Sequence, residues 1–181
     1  MAGLYSGTDI VGSLLCHWRT KVVLPLITGS HIDLACGDNR LVRALGTGVG
    51  VDIQNYGHAD LVTSNFAHLP FANASIDTVT VLASLNYIPN ALEVLHEIKR
   101  ILRTDGRLII TLPNQRIMRY WLQCRRQRPH RLSLADNDLG NMFDVTDFKL
   151  LDKRYFMMGL NRLYVAASRL HGRPGSAGSS G

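Results

Sequence analysis

The stretch His31-Ile32-Asp33-Leu34-Ala35-Cys36-Gly37-Asp38-Asn39 limits what this 181-residue chain can fold into more than any other. Nineteen residues after Asp33 comes Asp52, which closes Val49-Gly50-Val51-Asp52. The pattern predicts a strand, a tight turn, a short helix and a second strand with an acidic tip. An acid ending the second strand of a nucleotide fold usually grips ribose hydroxyls. The turn lacks the Gly-x-Gly-x-x-Gly spacing of a dinucleotide loop, since only Gly37 is clearly a loop glycine. The Asp33 carboxylate beside that loop disfavours a pyrophosphate and suits a positively charged ligand. The plain alternative is a strand-to-helix turn carrying an exposed aspartate.

The rest of the chain continues the alternation. Leu14 to Val23 predicts a helix that stops before Pro25, because a residue preceding proline avoids helical angles. Strands are expected at His31–Ala35, Val49–Ile53 and Asp60–Thr63, with a short helix over Asn39–Leu45. Ile76 to Leu82 is β-branched and continuous, as a buried parallel strand should be. Asn90 is placed to cap a helix whose apolar positions are Leu92, Leu95, Ile98 and Leu102. Asp105-Gly106 predicts a turn into a fifth strand, Arg107 to Leu112. Ile117 to Gln127 predicts another helix. Phe148–Met157 and Asn161–Ala167 predict two strands joined too tightly for a crossover, hence antiparallel. The order predicts an α/β, doubly wound sheet closed by an antiparallel C-terminal hairpin.

The turn at Asp33, Ala35, Cys36 and Gly37 resembles the first motif, Asp-x-[Gly/Ala]-Cys-Gly-x-Gly, of class I S-adenosylmethionine-dependent methyltransferases. The likeness is to the small type of the ubiquinone and biotin pathways, the methyltransferase type 11 family. It departs at Asn39, where the family carries a third glycine, and asparagine tolerates left-handed backbone better than most residues. The resemblance runs over roughly residues 30 to 168. It implies a mostly parallel seven-stranded sheet of order 3-2-1-4-5-7-6. It implies S-adenosylmethionine as cofactor and S-adenosylhomocysteine as product, and methyl transfer by in-line displacement.

Residue by residue, the resemblance puts Asp33, Ala35, Cys36 and Gly37 at the methionine end of the cofactor and Asp52 at the ribose. Ile53 would lie against the adenine face. Asn65-Phe66-Ala67-His68-Leu69-Pro70-Phe71 is similar to the family's Asp-Ala-x-x-Leu-Pro-Phe segment, which contacts adenine through its first two residues. Asn65 replaces the aspartate, and its amide oxygen could still accept from the adenine amino group. Leu82 and Ala83 would line the sulfonium side. Tyr87 and His17 are candidates to face the acceptor, each with an ordinary packing or surface role as its alternative. The residues single out no general base.

Length bounds the chain to one domain. Residues 1–29 are expected to form an N-terminal lid segment, 30–170 the catalytic domain, and 171–181, rich in glycine and serine, a disordered tail. Cys16, Cys36 and Cys124 are odd in number and widely spaced, which suits a reducing cytoplasm and gives neither a disulfide framework nor a metal site. The histidines offer no metal-ligand spacing. No signal peptide and no membrane-spanning run is expected.

The net charge of +6 is local, because Arg116, Arg119, Arg125, Arg126, Arg128 and Arg131 fall in a segment without an acid. A solvated basic face is the default reading. Arg119 and its neighbours otherwise suit an anionic acceptor group, an anionic membrane surface to which the protein would be peripheral, or RNA. The acceptor expected is a small molecule or a lipid-, sugar- or carrier-linked group. The alternatives are a non-catalytic S-adenosylmethionine-binding protein, an RNA methyltransferase using residues 116–131, and a nicotinamide enzyme, which the missing glycine loop disfavours.

Overall fold

In the computed structural model, which describes residues 10–55, 57–114 and 136–168, the expected alternation becomes one mixed sheet. Its strands are β1 (His31–Leu34), β2 (Val49–Asp52), β3 (Leu61–Val62), β4 (Ile76–Leu82), β5 (Leu102–Pro113), β6 (Phe148–Phe156) and β7 (Asn161–Ser168). They hydrogen-bond in the order β3-β2-β1-β4-β5-β7-β6. The first five are parallel, and β7 runs antiparallel between β5 and β6. The helices are α1 (Ile10–Val23), α2 (Arg40–Leu45), α3 (Ala91–Ile101) and α4 (Asp136–Val145). Among the described residues no helix is long and apolar enough to cross a membrane.

Side chains alternate along each strand, so the sheet sorts them into two layers. Ile32, Leu34, Val79 and Val81 pack on one side with Leu95 and Ile98 of α3 and Leu139 and Phe143 of α4. Ile109, Leu163 and Val165 pack on the other with Val23 of α1 and Leu41 of α2. Over β1 and β4 the positions that alternate with the apolar ones are polar. His31, Asp33, Thr78 and Thr80 are all buried there. A run that looks uniformly β-branched in sequence therefore serves an apolar layer with its valines and a polar one with its threonines.

Three local expectations need correction. The fifth strand does not wait for the Asp105-Gly106 turn. Extended backbone begins at Leu102, which pairs with Ile76, and the register slips before Arg107 pairs with Thr78. Asp105 takes a left-handed φ of 63° inside this bulge. Gly106 is needed beside it, because a Cβ there would lie 2.8 Å from the Arg103 carbonyl oxygen. Asn90 does precede α3, and its carbonyl accepts the Val94 N–H at 3.1 Å. Its side chain makes no cap, and donates instead to Asn65 Oδ1 and Glu93 Oε2. The buried face of α3 is Ala91, Val94, Leu95, Ile98 and Ile101, leaving Leu92 exposed and Leu102 in β5. The expected helix over 117–127, the arginine cluster with Arg119, Cys124 and the tail from 171 lie outside the described residues.

Candidate cofactor site

The carboxyl ends of β1, β2 and β4 lie side by side, and each stops abruptly. Ala35 directly after β1 and Ala83 directly after β4 both adopt left-handed backbone, with φ of 56° and 55°. Such angles cost an alanine roughly 1 kcal/mol and are held only where the surroundings dictate them. Here backbone bonds do so. Cys36 N–H donates to the Val51 carbonyl at 3.2 Å, and Ala83 N–H donates to Thr111 at 2.8 Å (carbonyl) and 3.1 Å (Oγ1). The two strands thus end at a rim of the sheet rather than running on.

Gly37 continues the rim with φ 58°, and a Cβ added there would meet nothing within 4 Å. Its N–H donates to Asp52 Oδ2 at 2.8 Å, while Gln54 N–H donates to Asp52 Oδ1 at 3.1 Å. Asp52 is thereby locked between its own loop and the first loop. Each of its oxygens keeps a second lone pair for a ligand hydroxyl. Asp33 lies deeper, 4% exposed, and accepts the Thr80 hydroxyl at 2.5 Å. Burial pushes its carboxyl up to about 7. The Thr80 hydrogen bond opposes that shift, the Asp52 charge adds to it, Arg19 opposes it and Asp38 adds to it. Burial, with Asp33 and Asp52 nearby, pushes the Cys36 thiol up to about 12, so it stays neutral and unreactive at physiological pH.

Asn39, the departure from the motif, is accommodated by two distant residues. It takes φ 57° and is buried, with its side chain against the Cα of Gly50. Its Nδ2 donates to the His58 carbonyl and to Asp60 Oδ2, both at 2.9 Å. Asp60 also accepts the Gly50 N–H at 2.7 Å, and the Gly50 and Asn39 bonds hold its carboxyl below the usual range.

The segment that resembles the adenine-contacting loop follows β3. Asn65 Oδ1 accepts the Ala67 N–H at 2.9 Å and Asn90 Nδ2 at 3.3 Å. The backbone donor fixes which end of the amide is oxygen. Both lone pairs of that oxygen are engaged, so the group Asn65 has left to offer is its Nδ2 donor. Phe66 and Leu69 are buried. Glu97 of α3 accepts Leu69 N–H at 2.7 Å, and Arg100 pairs with Glu97 while donating to the Leu69 carbonyl at 3.1 Å. This clamp fixes the Leu-Pro-Phe loop to α3.

Of the predicted residues, Asp33, Ala35, Cys36, Gly37, Asp52, Ile53, Leu82 and Ala83 all fall at the carboxyl edge of β1, β2 and β4. Asn65 and Phe66 lie in the loop after β3, and Tyr87 in a short 3₁₀ turn after β4. Ile53 and Tyr87 stay about half exposed, at 52% and 45%, giving this edge an apolar rim. Leu82 packs toward the layer under α1 and α2. His17 is on an exposed face of α1 with Leu14, Trp18 and Lys21. The same helix reaches the first loop through Ser13, whose hydroxyl accepts Arg40 Nη1 at 3.1 Å, while Arg40 also pairs with Asp38. Sequence reasoning passed over Thr80, His31, Asp60 and the buried Asn86. The one available signal was the Thr-Val-Thr-Val alternation of β4, which puts hydroxyls on a single face.

The acidic pair, the open space over Gly37 and the exposed Ile53 fit an adenosyl ligand with a cationic arm. Comparisons with known proteins point the same way. The family described as a methyltransferase domain matches residues 32–110. The uncharacterized protein MJ1252 of Methanocaldococcus jannaschii is 32% identical over 92 residues, covering 46% of this chain and 36% of that protein. Sterol 4-C-methyltransferase strm-1 of Caenorhabditis elegans is 29% identical over 122 residues, covering 56% and 36%. The chain thus spans about a third of the length of these curated relatives. Among solved structures, a chain of the complex between the Haloferax volcanii Trm112 methyltransferase activator and a methyltransferase superposes with a TM-score of 0.73 at 17% identity. That match covers 90% of this chain and 94% of that one.

Proposed function

We propose that the chain, whose residues 32–110 match the methyltransferase-domain family, transfers the methyl group of S-adenosylmethionine to an acceptor bound at the carboxyl edge of its sheet. The observation that carries the reading is the Asp52 carboxylate, tied to Gly37 N–H beside buried Asp33. When bound, the cofactor supplies an already activated sulfonium methyl. The work left to the protein is to bind, orient and exclude water.

Asp52 would accept the ribose hydroxyls with its remaining lone pairs. Asp33 would face the cationic amino-acid arm. Ile53 would lie against the adenine face, the Phe66 backbone amide would face the ring, and Leu82 and Ala83 would line the sulfonium side. Asn65 would contact the adenine ring through its Nδ2 donor. Residues 1–29 would act as a lid over the domain at 30–170, with Ser13 meeting Arg40 beside the first loop. The exposed Tyr87 favours an acceptor with apolar surface, small or carried on a lipid. One of the relatives is named for a sterol acceptor, which is of that kind.

Calorimetric titration with S-adenosylhomocysteine tests this directly. Micromolar binding is expected for the wild-type protein, and its loss in Asp52→Ala. Asp52→Asn, which keeps an acceptor for Gly37 N–H but sets an NH2 against Gln54 N–H, should lose affinity while remaining folded. A folded wild-type protein that takes up no S-adenosylhomocysteine would defeat the proposal.

A further inference from the structure

The polar layer over β1 and β4 holds a buried chain of three side chains that the cofactor site alone does not explain. β1 and β4 pair in register so that Asp33 lies opposite Thr80 and His31 opposite Thr78. Thr80 Oγ1 is 2.5 Å from Asp33 Oδ1 and 3.0 Å from His31 Nε2. All three residues are buried, and Thr80 is wholly inaccessible.

A hydroxyl carries one proton. With Asp33 ionised, Thr80 donates to it, so Thr80 must accept from a protonated Nε2 of His31. His31 Nδ1 is then bare, and it is buried without a hydrogen-bond partner. With Asp33 protonated, Asp33 donates to Thr80, and the Thr80 proton turns to the Ile32 carbonyl at 3.5 Å. The Thr80 oxygen still accepts from Nε2, so the imidazole proton stays in place and Nδ1 keeps only an idle lone pair. The chain therefore accommodates both charge states of Asp33 without burying an N–H that has no acceptor.

We infer that Thr80, backed by His31, is the positioning residue that readies Asp33 for a cationic ligand group, and that binding of this group releases a proton from the protein. The inference rests on the cofactor reading above. The balance is simple: the Asp33 carboxylic acid gives its proton to solvent, and the resulting carboxylate pairs with an ammonium group that arrives already charged.

The electrostatics around Asp33 agree. Burial, Asp52 of β2 and Asp38 of the first loop favour the protonated acid in the free protein, bringing its midpoint to about 7. Thr80 of β4 and Arg19 of α1 oppose them. His31 stays neutral, since burial lowers its midpoint to about 4. A cation added beside Asp33 shifts this balance toward the carboxylate.

The test compares S-adenosylhomocysteine with 5′-methylthioadenosine, which has the nucleoside and thioether but no amino-acid arm. Titrations run from pH 6 to 8 in buffers of different ionisation enthalpy. The homocysteine ligand should bind about tenfold more weakly at pH 6 than at pH 8, with proton release to the buffer at the lower pH. The arm-less ligand should show neither effect. Thr80→Val should move the homocysteine profile to higher pH while sparing 5′-methylthioadenosine, and Thr80→Ser should restore it.

A flat profile for both ligands, or an unshifted profile in Thr80→Val, would overturn the inference and leave the cofactor reading standing. Failure of both ligands to bind would remove both together. Should Thr80→Val not fold, the wild-type contrast between the two ligands still decides.

Discussion

Asn39 fits against Gly50 because residue 50 has no side chain: a Cβ there would run into the Asn39 amide. The pair ties the first loop to the end of the β2–β3 connection through Asp60 and the His58 carbonyl. Gly50→Ala should therefore destabilise the protein by about 1–3 kcal/mol, and in the Asn39→Gly background the same substitution should cost little. Urea midpoints of the two single variants and the double variant close the cycle. Additive losses would mean that the two side chains do not share the space.

Asn39→Gly alone restores the glycine that the family motif carries. It relieves a left-handed asparagine but strips two hydrogen bonds at 2.9 Å. The bonds outweigh the strain, and a net loss of about 1 kcal/mol is expected by the same midpoint measurement.

Glu97 links stability to acidity. The Arg100 hydrogen bonds, helped by Leu69 N–H and opposed by burial, hold its carboxyl below the usual glutamate range. A depressed carboxyl stabilises above its unfolded-state value and loses that contribution as pH falls through the folded one. Glu97→Gln should cost roughly 1–3 kcal/mol at neutral pH, and the gap from wild type should close on acidification below the usual glutamate range. A gap independent of pH would show that shape, rather than charge, secures the Leu-Pro-Phe loop.

His31 behaves in the opposite sense to a histidine that gains a partner. Its folded midpoint is lowered by burial to about 4, against 6.5 when free. The unfolded chain takes up a proton first, so this residue withdraws stability as pH drops from about 6.5 to about 4. His31→Gln, which keeps an N–H for Thr80, should gain on the wild type over that window. Thermal unfolding of both proteins at several pH values measures it.

Asn65 supplies a test of hydrogen-bond polarity. Its oxygen is taken by Ala67 N–H and Asn90. Aspartate at 65 would keep one oxygen for that turn and put an acceptor where the Nδ2 donor stands. Asn65→Asp should weaken S-adenosylhomocysteine binding by about 3–10-fold, on the order of one net hydrogen bond. Tighter binding would argue that an acceptor for the adenine amino group is what matters.

The alternation of strands and helices and the two acids were legible because they depend on local signals, a period of two and turn residues at fixed offsets, whereas the sheet order came from the family resemblance. Asp33 and Asp52 announce themselves by falling at strand ends. Thr80 did not, since a threonine in a β-branched strand looks like packing until its register against Asp33 is known. Asp60 stayed hidden for the same reason, its partners Asn39 and Gly50 being 21 and 10 residues away along the chain. Asn90 misled because cap propensity is local, whereas its amide is claimed by Asn65 across 25 residues. The bulge at Asp105 came from an Asp-Gly pair whose left-handed backbone serves a continuing strand as readily as a turn.

β4 spends its odd and even positions on different tasks. Val79 and Val81 face the layer that holds the domain together, while Thr78 and Thr80 face the layer that governs the charge of the first loop. The two sets can drift independently. A lineage could retune how this loop handles protons by exchanging one hydroxyl, without reopening the packing of the fold. It could repack the valines without altering what the loop attracts.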